Sequence, residues 1–366
     1  MIKNNYDVII IGAGPAGSTT ARYINPEKNN IKTLIIDRKK EIGKPVQCGE
    51  AISKISEWKK IIPEYYVIDD LFNLPKNVIA HEIKETTWIS PYQTHWRFET
   101  PGYILFRDLF DKHLTKLAIQ NGAEIKLDTS VKSIKDRNTV ITTNGNFTGK
   151  VIVGADGPQT VVAKSSGFKT PDDILPLSAC VFSIVKGDFN DHIKRIYYGK
   201  RFAGGYAWLF PKGNSANIGM GTQWIHKISI KDTFNKFLKE LGVSTKDILY
   251  NGGGLIPMGG PIPRLVIDNV LIVGDAAGMV FPSNGGGIIP AMIAGKECGN
   301  TIANYFNKGI SLDSYEKHWR KIFENIFNES LNQKNRYIWM TNHNLIFEIL
   351  FRIFRKKLIS FGTYFP

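Results

Sequence analysis

Hydrophobic positions near the start of the chain follow two periods in turn. Residues 6–11 (YDVIII) are a short β-branched apolar run ended by glycine, the pattern of a buried strand. A helical pattern follows to about Asn25, then a second buried run at 33–37 (TLIID). Strand, helix and strand in this order predict a parallel sheet and an α/β domain. Runs at 124–127, 151–154 (VIVG) and 270–274 (VLIVG) predict further strands of that sheet. Their wide separation predicts a discontinuous nucleotide-binding domain of residues 1–75, 100–170 and 265–310.

The material between those pieces is patterned differently. Residues 79–98 and 176–221 alternate apolar and polar positions, with aromatics and turn glycines, as antiparallel strands do. They predict an inserted mixed sheet, residues 76–99 and 171–264, suited to a substrate domain. A helical pattern returns at 288–306, and residues 311–366 read as a C-terminal helical region.

Composition adds exclusions. At 366 residues and 43% hydrophobic, the chain can bury a large core, and its 22% charged residues exclude a disordered class. Three cysteines, Cys48, Cys180 and Cys298, argue against a disulfide scaffold and against a metal site, and they fit a reducing, cytoplasmic setting. A net charge of +14 attracts anionic partners, but no nucleic-acid signature accompanies it, so nucleic acid is not expected. No run reaches the roughly 18 apolar residues of a membrane span, and the apolar run at 8–11 leads into a glycine loop rather than a signal-peptide pattern.

The glycine loop carries the first chemistry. Gly12-x-Gly14-x-x-Gly17 lies between a predicted strand and helix, and Ala16 lies within it. Gly12 permits the tight turn, Gly14 admits a pyrophosphate, and Gly17 lets the helix pack on the strand. The helix N-terminus offers free N–H groups to phosphate. Asp37, 20 residues past Gly17 with Arg38 beside it, ends the second strand where a carboxylate accepts from an adenosine ribose. This pattern alone fits either FAD or NAD. Two later segments favour FAD: 151–157 (VIVGADG) and 270–278 (VLIVGDAAG) place Asp156 and Asp275 at the ends of buried strands. Gly285-Gly286-Gly287, before Ile288, then opens a helix whose N–H groups suit a reduced flavin.

With these motifs the chain resembles the flavoproteins of the p-hydroxybenzoate hydroxylase superfamily. Two further segments, 45–51 (PVQCGEA) and 206–211 (YAWLFP), resemble the geranylgeranyl reductases, especially those that saturate isoprenoid chains of archaeal lipids. That resemblance implies a Rossmann-like FAD-binding domain with an inserted β-sheet substrate domain. It places FAD contacts at Gly17, Asp37, Cys48, Gly49, Ala51, Arg107, Val131, Asp275, Gly287 and Ile288. Gly12, Gly14, Ala16, Arg38, Asp156 and Gly286 extend the same set. The chain departs from the family pattern at Ala51 and Ala203, where the family has Gly and Pro.

Strand periodicity puts Tyr206, Trp208 and Phe210 on one face, an apolar wall suited to a polyprenyl chain or, equally, to a core. The expected reaction is FAD-dependent reduction of isolated C=C bonds, with Cys48 as proton source or as a small buried thiol, and with Tyr206 and Trp208 easing cationic character. A monooxygenase acting on an aromatic or quinone, a reductase of a prenyl-quinone and a prenyl-lipid carrier remain alternatives. No second GxGxxG or cysteine cluster is present, so ferredoxin or NAD(P)H is expected to deliver electrons from outside. On the last helix Glu348, Arg352, Arg355 and Lys356 share a polar stripe, which suits either peripheral membrane contact or packing on the body of the protein.

Overall fold

The computed structural model describes residues 4–62, 68–223, 228–341 and 343–362, with side chains described through residue 353. The chain divides into two compact units.

The first unit comprises residues 1–44, 108–176 and 257–328. Its sheet runs Val266–Ile267, Val270–Ile272, Gly145–Gly154, Asn5–Ile11, Thr33–Ile36, Glu124–Lys126, parallel from Val270–Ile272 onward. A hairpin of Val131–Lys135 and Thr139–Thr142 extends it beside Gly145–Gly154. Val8–Ile10, Leu34–Ile36 and Val151–Val153 are buried, as a parallel sheet covered on both faces requires. Helix Pro15–Ile24 follows the first strand and packs on helix Ile288–Lys308.

The second unit comprises residues 45–107, 177–256 and those from 329 onward. Its sheet order is Ile248–Ile256, Ser178–Phe189, Gly213–Thr222, Ala207–Pro211, Ile193–Tyr197, Ile79–Ile89, His95–Leu105, Ala51–Ser53. Among the described residues only the pairing of Ile193–Tyr197 with Ile79–Ile89 is parallel, so this sheet is mixed. One face, through Leu209, Ile218 and Met220, packs with Phe234 and Phe237 of helix Ile230–Glu240. The other carries Ile83, Ile104, Phe182, Trp208 and Phe210.

The units differ in extent from the domains read in the sequence. Residues 45–75 lie in the second unit because Ala51–Ser53 pairs with His95–Leu105. Nor do the last helices form a separate body. Tyr315, Trp319, Phe323 and Phe327 are buried in the first unit, with Phe327 against Phe281. Residues from 329 onward belong to the second, where Phe347 and Phe351 are buried.

Candidate active site

In the first unit the glycine loop is held by backbone contact. Gly12 has φ +106°, and a Cβ there would stand 2.1 Å from the Ala155 carbonyl oxygen. A Cβ on Gly17 would stand 1.9 Å from the Gly12 carbonyl oxygen, so the helix can approach the strand only without one. Around Gly14, by contrast, there is open space. Gly14 caps helix Pro15–Ile24 with no side-chain bond, leaving the first-turn N–H groups to a ligand.

Asp37 closes one side of the loop. Its Oδ2 accepts from Ala13 N–H at 2.7 Å, and its Oδ1 accepts from Lys39 N–H at 2.8 Å. Arg38 is exposed. Thr129 N–H donates to the Asp37 carbonyl at 3.0 Å, which brings the turn before Val131 alongside. Asp156 is the adjoining strand-end acid: Oδ2 accepts from Val161 and Val162 N–H, while Oδ1 is buried with no hydrogen-bond partner. Burial pushes the pKa of Asp156 up.

The triple-glycine turn converges on the same region. A Cβ on Gly274 would meet Ala16, and one on Gly287 would stand 3.3 Å from Asp275 Oδ1. Gly287 caps helix Ile288–Lys308 without a side-chain bond. The first unit thus joins Gly12, Gly14, Ala16, Gly17, Asp37 and Asp156 to the Asp275–Ile288 segment. An open helix N-terminus at Gly14, a turn at Gly12 and Gly17 packed too closely for any Cβ, and a buried Asp156 oxygen without a donor fit FAD.

The second unit assembles the other predicted residues. Cys48 is half-buried, and its Sγ accepts from Glu50 N–H at 3.1 Å. Burial raises its pKa, while the neighbouring Arg107 guanidinium opposes that rise. Gly49 lies against the rings, 3.3 Å from Phe210 to a Cβ built on it, and Ala51 opens the strand paired with His95–Leu105. Arg107 begins helix Arg107–Gln120, and its N–H donates to Glu50 Oε1 at 3.3 Å.

Trp208 and Phe210 are buried and stacked, with ring centroids 6.0 Å apart, and Tyr206 meets Trp208 edge-on at 6.0 Å. Tyr206 precedes the strand Ala207–Pro211 rather than lying within it, yet it continues the row. Burial pushes its hydroxyl pKa far up, and both Cys180 and Cys48 add to the rise.

Three residues at this centre were given no role by the sequence reading. Lys212 Nζ lies 2.6 Å from Glu50 Oε2, with the two side chains only 5% and 3% exposed. Asn217 Nδ2 donates to the same Glu50 oxygen at 3.0 Å and to the Cys48 carbonyl at 3.1 Å. Its Oδ1 accepts from Trp208 Nε1–H at 2.9 Å. A signal was available: Lys212 sits at inward parity after Trp208 and Phe210, and Glu50 adjoins the Cys-Gly pair. Each is an ion in an otherwise apolar motif.

The last helix corrects the expected polar stripe. Glu348 is buried, bonded to the Thr94 hydroxyl and to Arg352 Nε, whereas Leu345, Ile349 and Ile353 are exposed. A carboxylate that finds those donors can turn inward and leave the apolar row outside. The side chains of Arg355 and Lys356 lie outside the described residues.

Among the described residues, no cluster of three His, Cys, Asp or Glu could hold a metal ion, and no helix is long and apolar enough to cross a membrane.

Comparison with known proteins matches residues 177–256 to the family described as "Geranylgeranyl reductase catalytic domain" and residues 223–352 to "Lycopene cyclase protein". A digeranylgeranylglycerophospholipid reductase 3 of Methanosphaera stadtmanae is 33% identical over 97% of both chains. The digeranylgeranylglycerophospholipid reductase of Methanocaldococcus jannaschii is 32% identical over 90% of this chain and 83% of its own. Among solved structures, a geranylgeranyl bacteriochlorophyll reductase-like protein of Thermoplasma acidophilum superposes with TM-score 0.80 at 27% identity, covering 93% of this chain and 90% of that one. The flavin-dependent brominase Bmp2 shares the fold, with TM-score 0.70 at 18% identity over 98% of this chain and 94% of that one. With full-length relatives above 30% identity and the catalytic-domain match on the sheet that carries Trp208 and Phe210, the chain belongs to the geranylgeranyl reductase family.

Proposed function

We propose that this protein is an FAD-dependent oxidoreductase that saturates isolated C=C bonds in the geranylgeranyl chains of archaeal-type membrane glycerophospholipids. The observation that carries this reading is the aromatic row Tyr206–Trp208–Phe210, tied through Asn217 to the backbone of Cys48.

FAD, when bound and reduced by two electrons from the external donor, would supply hydride to one alkene carbon. In this reading its contacts in the first unit are Gly12, Gly14, Ala16, Gly17, Asp37, Arg38, Val131, Asp156, Asp275, Gly286, Gly287 and Ile288. Those in the second unit are Cys48, Gly49, Ala51 and Arg107. An isolated alkene has no carbonyl to polarise, so the protein must supply a proton and shelter positive charge. Cys48 keeps its proton at Sγ through neutral pH because burial raises its pKa. The faces of Tyr206 and Trp208 receive cationic character at the tertiary carbon. Phe210 extends the wall along which the chain binds by apolar contact.

The electron donor is external, ferredoxin or NAD(P)H. The protein works in the cytoplasm, and we assign the exposed row Leu345, Ile349 and Ile353, with Arg352 beside it, to the membrane surface that presents the lipid.

The test is anaerobic incubation of flavin-loaded protein with digeranylgeranyl glycerophospholipid and dithionite, read by mass spectrometry. Gain of two hydrogens per double bond is expected. A product formed only with oxygen would replace this reading with hydroxylation.

A further inference from the structure

Strands Ile193–Tyr197 and Ala207–Pro211 pair with Ile196 opposite Trp208, and Ile193–Tyr197 pairs with Ile79–Ile89 so that Lys194 is opposite Thr86 and Ile196 opposite Trp88. Paired residues share a face, so Lys194 lies on the side of the sheet that bears Trp208 and Phe210. Opposite and beside it on the neighbouring strand, Thr86 and Trp88 are neutral or apolar, and the Lys212–Glu50 pair on the same face is compensated within itself. Trp88 meets Trp96 and Phe98 edge-on at 5.5 and 5.1 Å, and Phe351 of the last helix meets Trp96 at 5.9 Å. The Thr86 and Thr100 hydroxyls bond to each other.

Three neighbouring cations of this sheet have carboxylate partners: Arg195 has Asp191, Arg97 has Glu85, and Lys212 has Glu50. Lys194 has none among the described residues. It is half-buried, with burial alone lowering its pKa to about 8, so no nearby charge compensates the ammonium. A half-buried ammonium with no counter-ion is less well solvated than a free one, and an anion that arrives to meet it is favoured. A long apolar wall with one uncompensated cation is the complement of an amphiphile with a single anionic end.

We propose that Lys194 binds the phosphate of the lipid headgroup while the prenyl chain lies along the aromatic face. The assignment rests on the reductase reading above and adds to it the residue that selects the headgroup. A compact ammonium on a flexible stem suits a phosphate oxygen, and the Thr86–Thr100 pair beside it offers hydroxyl donors.

The test compares wild type, Lys194→Met and Lys194→Arg on three lipids: a digeranylgeranyl glycerophospholipid, phosphate-free digeranylgeranylglycerol, and geranylgeranyl diphosphate. Binding is read by quenching of tryptophan fluorescence, and turnover by dithionite-driven reduction. A charge-assisted bond is worth about 1.5–3 kcal/mol, so Lys194→Met should weaken Kd and KM for phosphate-bearing lipid by about tenfold or more. kcat and all constants for the phosphate-free lipid should stay unchanged, and Lys194→Arg should restore binding. A loss seen only with the diphosphate would support the anion site and name the prenyl diphosphate as its source. Equal losses on all three lipids, or no loss on either phosphate-bearing one, would overturn the assignment. Wild type that binds these lipids yet reduces none would refute the reductase reading alone, since quenching still reports on Lys194.

Discussion

Lys212 Nζ and Glu50 Oε2 form a 2.6 Å ion pair from which water is almost wholly excluded. Glu50 reaches this position with φ +70°, a left-handed backbone that only a few per cent of non-glycine residues adopt. Its N–H donates to Cys48 Sγ, its carbonyl accepts from Leu105 N–H, and its carboxylate gathers Lys212, Asn217 and the Arg107 N–H. One strained residue therefore sets the position of the Cys48 thiol relative to the Trp208 ring, through Asn217. Desolvating both ions is costly, which makes such a pair weak evidence for stability and a fitting device for geometry.

Removing one partner of that pair should be severe. Glu50→Gln or Lys212→Met leaves the other ion buried and uncompensated, a loss of about 3–5 kcal/mol in urea unfolding. The double variant Glu50→Met/Lys212→Met should regain most of that stability while turnover stays impaired, since Asn217 and Cys48 lose their anchor. Singles that unfold like wild type would contradict the burial of the pair.

The Cys48 thiol offers a pH-dependent readout. Its pKa is raised chiefly by burial and held back by Arg107. The protonated thiol is thus favoured in the folded state, and thiolate chemistry should begin only above the ordinary thiol value. Alkylation by iodoacetamide in native protein should be slow at pH 7–8 and rise later than in unfolded chain. Arg107→Met, by removing the opposing charge, should delay that rise further. The raised pKa also means that the stabilisation linked to the protonated thiol is complete below the unfolded pKa and fades as pH climbs through the folded one. Cys48→Ala should lower turnover by about 10²–10⁴-fold, the range of a lost general acid, in protein that still binds FAD through its other contacts.

Much of the fold was legible because burial dictates it. Parallel strands covered on both faces must be apolar runs, so 6–11, 33–37 and 151–154 announced themselves. The alternation of 206–210 gave the aromatic row, with Leu209 facing Ile218 on the opposite side. Long-range pairing was not legible: nothing local in Ala51–Ser53 says that it joins His95–Leu105. The ions Glu50 and Lys212 escaped for the same reason, since 162 residues separate them and only the folded sheet makes them partners. The inward turn of Glu348 was not legible, because a carboxylate's exposure depends on donors that sequence spacing cannot display.

Gly17 sets a steric requirement independent of any ligand. A methyl group there would stand 1.9 Å from the Gly12 carbonyl oxygen, far inside contact distance. Gly17→Ala must push helix Pro15–Ile24 off its strand, which also moves the open N–H groups at Gly14. In flavin titration this variant should show a Kd for FAD at least about tenfold above wild type, a loss near 1.4 kcal/mol or more. An unchanged Kd would refute the close approach.

The last helix presents two faces with opposite tasks, and they can be separated. Phe347 and Phe351 are buried, with Phe347 against Tyr198 and Phe351 against Trp96, so truncation before Asn344 would open the aromatic face as well as remove any lipid contact. Point changes on the outer row avoid that confusion. Leu345, Ile349 and Ile353 are 63%, 47% and 66% exposed, so replacing them with Ser gives up little folding free energy. The triple variant should melt within a few degrees of wild type and retain turnover on detergent-dispersed lipid. The partition constant onto anionic vesicles, read by co-sedimentation, should fall at least about tenfold, because burying even one such side chain is worth about 1.5–3 kcal/mol. Sedimentation equal to wild type would assign this face to solvent and move the lipid entry elsewhere on the second unit.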